Sequence, residues 1–318
     1  MERFIVGTGR CGSTLLSRMV GLHPEALSIH EFFTGLGRER RFREGSVPAA
    51  ELVQILSADQ FVTTQMIALG YRAEEVQYPL GKGRYRPGDA LPWLLIGAIP
   101  RLCDDPDALY DELIAFAARR PAATMREHYL ALFGWLADRL RRPLWIERSG
   151  ASIEYLGSLV DLYPEARFVH IHRDGLEAAL SIQAHPYFRA AIALAYGLLG
   201  PRTDLREDLR RAAETPPPLW AVGRFWSEQV LRGVSALPRL DRSQYLTVRF
   251  EDLIARPREV LGEIARFFEL PQSDGFLDRA SALVAEAPPP RLPALSPAEQ
   301  EELSAACRPG QLALGRAS

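Results

Sequence analysis

Residues 4–16 read Phe-Ile-Val-Gly-Thr-Gly-Arg-Cys-Gly-Ser-Thr-Leu-Leu, and no other stretch constrains the chain as strongly. An apolar strand over residues 4–6 runs into a glycine-punctuated turn, which opens onto a helix beginning near Ser13 and Thr14. In such a turn, successive backbone N–H groups converge and the positive end of the helix dipole faces whatever binds there, so the segment forms an anion cradle. Gly7, Gly9 and Gly12 let the backbone approach oxygen atoms closely, and Ser13 or Thr14 is expected to cap the helix. A Walker A loop would place a lysine directly after Gly12, where Ser13 stands; the basic residue comes two positions earlier, as Arg10. The loop is therefore suited to a phosphate-like group other than that of ATP.

Further strand-like runs lie at 144–146, 168–171 and 245–248. Helical patterns cover 14–22, 107–119, 125–140, 153–163, 175–183, 219–237 and 257–268, with Pro164 stopping the one before Phe168. Strands separated by helices of this length need crossover connections. The expected fold is α/β, a P-loop-type parallel sheet with helices on both faces. One domain over 1–318 accommodates all of it. Within it, 71–106 (rich in Gly, Pro, Tyr and Arg) reads as a substrate loop or lid, and 286–318 as a C-terminal extension. In that extension 286–297, containing Pro288-Pro289-Pro290, is expected to be an extended connection to a short terminal helix.

Composition excludes several roles. The net charge of −2 argues against general nucleic-acid or membrane-surface binding, so any basic site must be local. The longest apolar run, 190–199, is too short to span a bilayer. Three scattered cysteines, Cys11, Cys103 and Cys307, make neither a disulfide framework nor a zinc site, and no metal is expected. With no signal peptide before the first strand, a cytoplasmic setting is expected. Lysine and arginine total 38 and Lys82 is the only lysine, so any role needing a cation falls to arginine or to Lys82.

A second constellation is Phe168-Val169-His170-Ile171-His172-Arg173-Asp174-Gly175, followed by Ser181 in the next helix. Arg173 leaves the carboxyl end of a strand, the edge where open α/β sheets bind ligands. Its planar fork of donors suits phosphate oxygens, and with Ser181 it can hold a second phosphate. Taken alone, the pair reads equally well as an arginine bound to a nearby carboxylate and a serine on a helix surface.

Together the two stretches resemble the sulfotransferases that use 3′-phosphoadenosine-5′-phosphosulfate (PAPS), and most closely the tyrosylprotein sulfotransferases and related bacterial enzymes. The segment Gly9-Arg10-Cys11-Gly12-Ser13-Thr14-Leu15 corresponds to the loop that binds the 5′-phosphosulfate in that family, and Arg173 with Ser181 to the pair that binds the 3′-phosphate. The likeness continues through His23-Pro24-Glu25, Trp145-Ile146-Glu147-Arg148-Ser149, Pro164-Glu165-Ala166-Arg167-Phe168 and Val248-Arg249-Phe250-Glu251-Asp252-Leu253, but leaves 35–120 unaccounted for. Arg10 stands where cytosolic members carry lysine, Cys11 replaces a usual serine, and Arg148-Ser149-Gly150 replaces a Lys-Asp-Pro or Lys-Thr-Pro segment. The resemblance implies PAPS as donor and PAP as product, with no metal. Arg10, Arg148 and the loop amides are expected at the developing charge, and Glu31 at the catalytic glutamate position. His30 competes with Glu31 as the base, since imidazole titrates near neutrality.

The other polar residues have more ordinary readings. His170 and His172 alternate along one strand and either pack in the sheet core, the favoured reading, or floor the site; Glu251-Asp252-Leu253 is expected to orient a helix, and Trp220, Phe225 and Trp226 are expected in the core. For the acceptor, Phe32, Phe33, Tyr71, Tyr78, Tyr85 and Trp93 are expected to wall a pocket for a small lipid, polyketide or phenolic hydroxyl compound of secondary metabolism. Lys82, Arg84 and Arg86 decorate a solvated loop or grip an anionic acceptor. Two other functions compete: a P-loop kinase with a displaced lysine, possibly Lys82, and a non-catalytic nucleotide-binding module. Oligomeric state is not legible.

Overall fold

The structure, a computed structural model, describes residues 1–199, 204–271, 274–284 and 289–316. The chain begins with β1 (Arg3–Val6), α1 (Ser13–Val20) and β2 (Ala26–His30). Four helices, α2 (Arg38–Arg41), α3 (Ala49–Ser57), α4 (Phe61–Ala68) and α5 (Pro106–Ala118), precede α6 (Met125–Arg139) and β3 (Leu144–Arg148). Next come α7 (Leu156–Leu162), β4 (Arg167–His172), α8 (Gly175–Gln183), α9 (Pro186–Ala195), α10 (Leu205–Glu214) and α11 (Leu219–Val234). The chain closes with β5 (Tyr245–Arg249), α12 (Phe250–Ala255), α13 (Pro257–Phe267), α14 (Asp274–Ser281) and α15 (Pro297–Ala313).

Every pairing in the sheet is parallel, and the strand order is β2-β3-β1-β4-β5. Strand alternation sorts its residues onto two cores. Phe4, Val6, Leu27, Ile29 and Phe168 face a cluster built with α3, α5, α6 and α7, whereas Ile5, Ile146, Val169, Ile171 and Val248 face α1, α13 and α14. Both faces are covered, as a parallel sheet requires. Because the chain runs from β1 outward to β2 and later returns to place β4 on the other side, the C-terminal end of β1 is a topological switch point, the usual ligand crevice of such sheets.

Several expectations need correction. The helix expected over 153–163 is a 3₁₀ turn (Ser152–Tyr155) followed by α7, and α3, α4, α9 and α10 had no assignment in the sequence. The terminal helix is not short: α15 runs 17 residues, starts with a Ser296/Glu299 capping box and packs on α11, where Ser227 Oγ donates to the Ala306 carbonyl. Of the expected extended stretch 286–297, residues 286–288 lie outside the described residues, and Leu292–Ala294 form a 3₁₀ turn. Trp226 is core, but Trp220 is 41% exposed. Among the described residues, no helix is long and apolar enough to cross a membrane.

Candidate active site

A cleft of about 620 Å³ opens over the C-terminal ends of β1, β2, β3 and β4, and both sequence motifs line it. A slightly larger cavity, about 690 Å³, lies by the ends of β4 and β5 near His172, Arg249 and Arg316, and is lined by neither the loop 9–15 nor Arg173 and Ser181.

The loop after β1 reaches the cleft through strained backbone. Gly12 is the N-cap of α1 at φ 93°, a left-handed conformation, and a Cβ there would lie 2.2 Å from the Phe250 ring. Contrary to expectation, neither Ser13 nor Thr14 caps α1, which has no side-chain cap hydrogen bond; its first-turn amides are left to a bound anion. Instead both hydroxyls accept from the Arg148 guanidinium, Ser13 Oγ from Nε at 3.0 Å and Nη2 at 2.8 Å, and Thr14 Oγ1 from Nη2. The Cys11 side chain is fully buried in the core beside Gly7, so only its backbone is available to the loop, while Gly9 and Leu15 line the cleft.

The two motifs touch. Arg10 Nε donates to Ser181 Oγ at 3.2 Å, and Arg10, Arg173 and Ser181 line the same cleft. Arg173 lies over the Phe250 ring at 5.1 Å, with Nη2 3.7 Å from Glu177 Oε2. Glu177 Oε1 also accepts the backbone amides of Arg291 and Leu292, which brings Arg291 to the same end of the cleft, where its Nη1 is buried without a hydrogen-bond partner. Glu251 holds the turn after Arg173: its Oε1 accepts the Asp174 amide at 2.8 Å and its Oε2 accepts from Arg316 Nη2 at 2.8 Å. Four arginines, an uncapped helix terminus and a partnerless guanidinium nitrogen fit a ligand with anions at both ends, as PAPS has.

Glu31 sits at the centre. It is 2% exposed at φ 53°, and its Oε1 is paired with Arg148 Nη1, while Oε2 accepts from Thr34 Oγ1 at 2.6 Å and from the Gly150 amide at 2.9 Å. Trp93 Nε1 donates to the Glu31 carbonyl at 2.6 Å. Arg10, Glu31 and Ala151, three of the five non-glycine residues with positive φ among those described, all line this cleft. Such strain, costing on the order of 1–3 kcal/mol per residue, persists where the surroundings over-determine it, as they do at Glu31. His30 is elsewhere. It lies under α1, where its Nε2 meets Ser17 Oγ at 3.2 Å and Ser28 Oγ at 3.4 Å. Burial, then the Arg148 charge, pushes it well below its ordinary value. It is not among the residues that line the cleft.

The expected acceptor wall is mostly core. Phe32 and Phe33 are fully buried among Tyr129 and Phe133, and Tyr78 donates to Asp107. Tyr71 and Tyr85 do not line the cleft; of the six aromatics, Trp93 does. The segment 71–106 still supplies one wall through Ala73, Glu74, Glu75, Val76, Trp93 and Ile96. Lys82 is exposed and outside the cleft, so the displaced-lysine kinase reading loses its cation, and Arg84 pairs with Asp111 on the surface. His170 and His172 are buried as expected, His170 Nδ1 sharing a hydrogen bond with the Tyr245 hydroxyl at 2.5 Å and His172 Nδ1 accepting from Arg316 Nε at 3.2 Å. Sequence reasoning missed Arg291, Phe250, Phe188 and Glu75, and only Phe250, adjacent to the Glu251-Asp252-Leu253 segment, carried a signal.

The sulfotransferase family profile matches residues 100–274, more than half of the chain, including Arg148, Arg173 and Ser181. No curated protein matches the sequence. Among solved structures, a sulfotransferase domain from the curacin biosynthetic pathway superposes with a TM-score of 0.51 at 13% identity, covering 99% of this chain and 98% of its own. A sulfotransferase from Mycobacterium avium (TM-score 0.46, 17% identity, 99% and 75% covered) and one from Alicyclobacillus acidocaldarius (0.43, 18%, 100% and 97%) are more distant in shape. The chain has the sulfotransferase fold and belongs to the sulfotransferase family.

Proposed function

We propose that the protein moves the sulfuryl group of PAPS to a hydroxyl of a small-molecule acceptor by in-line displacement. The observation that carries this reading is the contact between the two anion motifs, Arg10 Nε on Ser181 Oγ at 3.2 Å with Arg173 in the same cleft. A donor bearing a 3′-phosphate and a 5′-phosphosulfate would span it, with Arg173, Ser181 and Arg291 on the first group and the loop 9–15 with Arg10 and Arg148 on the second. The P-loop and Glu31 precede the profile match, so their roles rest on the geometry of the cleft.

Transfer of this kind leaves the protein mainly positioning and charge stabilisation. The acceptor oxygen forms its bond to sulfur while the bond from sulfur to the bridging oxygen breaks, and the electron pair leaves on the 5′-phosphate. Glu31 takes the hydroxyl proton. Arg148 bridges the steps: it contacts Ser13 and Thr14 at the loop and Glu31 at the base, so one guanidinium orients the proton acceptor and faces the departing phosphate. The apolar part of the cleft, with Val62, Val76, Trp93 and Ile96, would receive the acceptor.

PAP should raise the melting temperature through binding to the folded state, and ATP, lacking a 3′-phosphate, should do so weakly. Arg173→Ala should weaken PAP binding by about 10- to 100-fold, the worth of a charge-assisted hydrogen bond. Equal affinity for PAP and ATP, or an Arg173→Ala variant that binds PAP normally, would overturn the donor assignment. Sulfate transfer from labelled PAPS across an acceptor panel then reads the reaction itself.

A further inference from the structure

Two consecutive carboxylates, Glu74 and Glu75, line the cleft from the 71–106 segment. Glu74, 74% exposed, has Oε2 3.5 Å from Arg10 Nη1. Glu75 is more enclosed, with Oε2 3.5 Å from Nε2 of His185, itself a cleft residue at the start of α9. The backbone of Glu75 is also close to the base. A Cβ at Gly97 would lie 3.1 Å from the Glu31 Cβ and 3.6 Å from the Glu75 carbonyl oxygen. Burial, the largest single influence, works to raise the Glu75 carboxyl, but His185, a backbone amide and the Arg148 charge together hold the group down to about 2.

The same cleft carries an apolar set, Val62, Val76, Trp93, Ile96, Ala191 and Leu194, beside the polar Thr63, His185 and Tyr187. On the reading proposed above, Arg10, Arg148, Arg173 and Arg291 are engaged by the anions of the donor. What then faces the remaining room is three carboxylates, Glu31, Glu74 and Glu75, against one imidazole, His185, with Arg101 behind them, its Nη2 on the Glu74 carbonyl at 3.0 Å. Like charges brought into such an enclosure repel, and repulsive elements of this kind set specificity more than affinity.

We infer that the acceptor is an apolar hydroxyl compound carrying no negative charge near its reacting end, and that Glu75 is a specificity-determining residue that rejects anionic acceptors. This rests on the sulfuryl-transfer reading, and the test separates the two. With the protein saturated by PAP, binding of three phenols of matched size is measured by calorimetry: 4-propylphenol (neutral), tyramine (cationic) and 4-hydroxyphenylacetate (anionic). The anion should bind at least about tenfold more weakly than the neutral phenol. Glu75→Gln should narrow that gap at least about threefold with PAP affinity intact, and Glu75→Asp should keep it. The exposed variant Glu74→Gln, which leaves the enclosed carboxylate in place, should keep most of it. An anion bound as tightly as the neutral phenol, a gap unchanged in Glu75→Gln, or no binding by any of the three overturns the inference. Failure of the wild type to bind PAP at all overturns the donor reading instead.

Discussion

Glu147 is fully enclosed one strand position before Arg148, and it supports a quantitative test of the buried electrostatics behind Glu31. Ser149 Oγ donates to its Oε1 at 2.5 Å and accepts the Phe33 amide at 2.9 Å, tying the loop that follows Glu31 to the end of β3. Its other oxygen, Oε2, has no hydrogen-bond partner. Burial is the largest influence on this carboxyl and pushes it up to about 8, from an ordinary value of 4.5. Between those two values the folded protein holds a proton that the unfolded chain has released. Stability is therefore greatest below the lower value and is lost as pH rises toward the upper one, at about 1.4 kcal/mol per pH unit. From about pH 5 to about pH 8 the loss is on the order of 4 kcal/mol. Glu147→Gln presents a neutral group of the same shape and removes this dependence. Urea unfolding at several pH values in that window, extrapolated to water, measures it. The wild type should lose about 4 kcal/mol more than the variant across the window. His170 and His172, buried and shifted down to about 3 and about 4, contribute equally to both proteins and cancel in the difference. Parallel stability curves would refute the claim that Glu147 is protonated in the fold.

Glu31→Gln leaves the buried Arg148 without its counter-charge, which should cost about 3–5 kcal/mol in unfolding measurements without ligand. Saturating PAP should recover at least half of that deficit by supplying an anion, while sulfuryl transfer falls by about 10²–10⁴; an unchanged rate would sink the assignment of Glu31 as base. Gly12→Ala meets both a φ of 93° and the Phe250 ring. It should lower stability by about 1–3 kcal/mol and abolish the thermal shift given by PAP, and a wild-type shift would show that the loop does not bind the donor.

What could be read ahead of the structure was whatever the chain writes locally. The anion loop is seven consecutive residues, and Arg173 and Ser181 lie eight apart across one strand–helix junction, so backbone conformation alone brings each group together. Arg148 was legible for the same reason, standing at the end of β3. Choosing between His30 and Glu31 was harder. Strand alternation sends neighbours to opposite faces, and nothing in Ser28-Ile29-His30-Glu31 says which face α1 covers or that the backbone turns to positive φ at Glu31. Phe32 and Phe33 failed as pocket residues because an aromatic pair adjoining an active-site strand looks the same whether it packs on Tyr129 and Phe133 or on a substrate.

The part of the cleft beyond the anion loop was illegible for a physical reason. Its lining comes one or two side chains at a time from α4, the 71–106 segment and α9, and those pieces meet only through tertiary packing. An anion site built from backbone amides and a helix terminus is an intrinsic property of a short sequence, whereas an apolar chamber is a property of which helices happen to close over it. Glu75 belongs to the second kind. Its meaning appears only once His185, more than a hundred residues away in the chain, is found 3.5 Å from it. On the proposed reading, two chains sharing this loop can therefore differ completely in acceptor, because the residues lining the rest of the cleft lie outside the motifs by which the family is recognised.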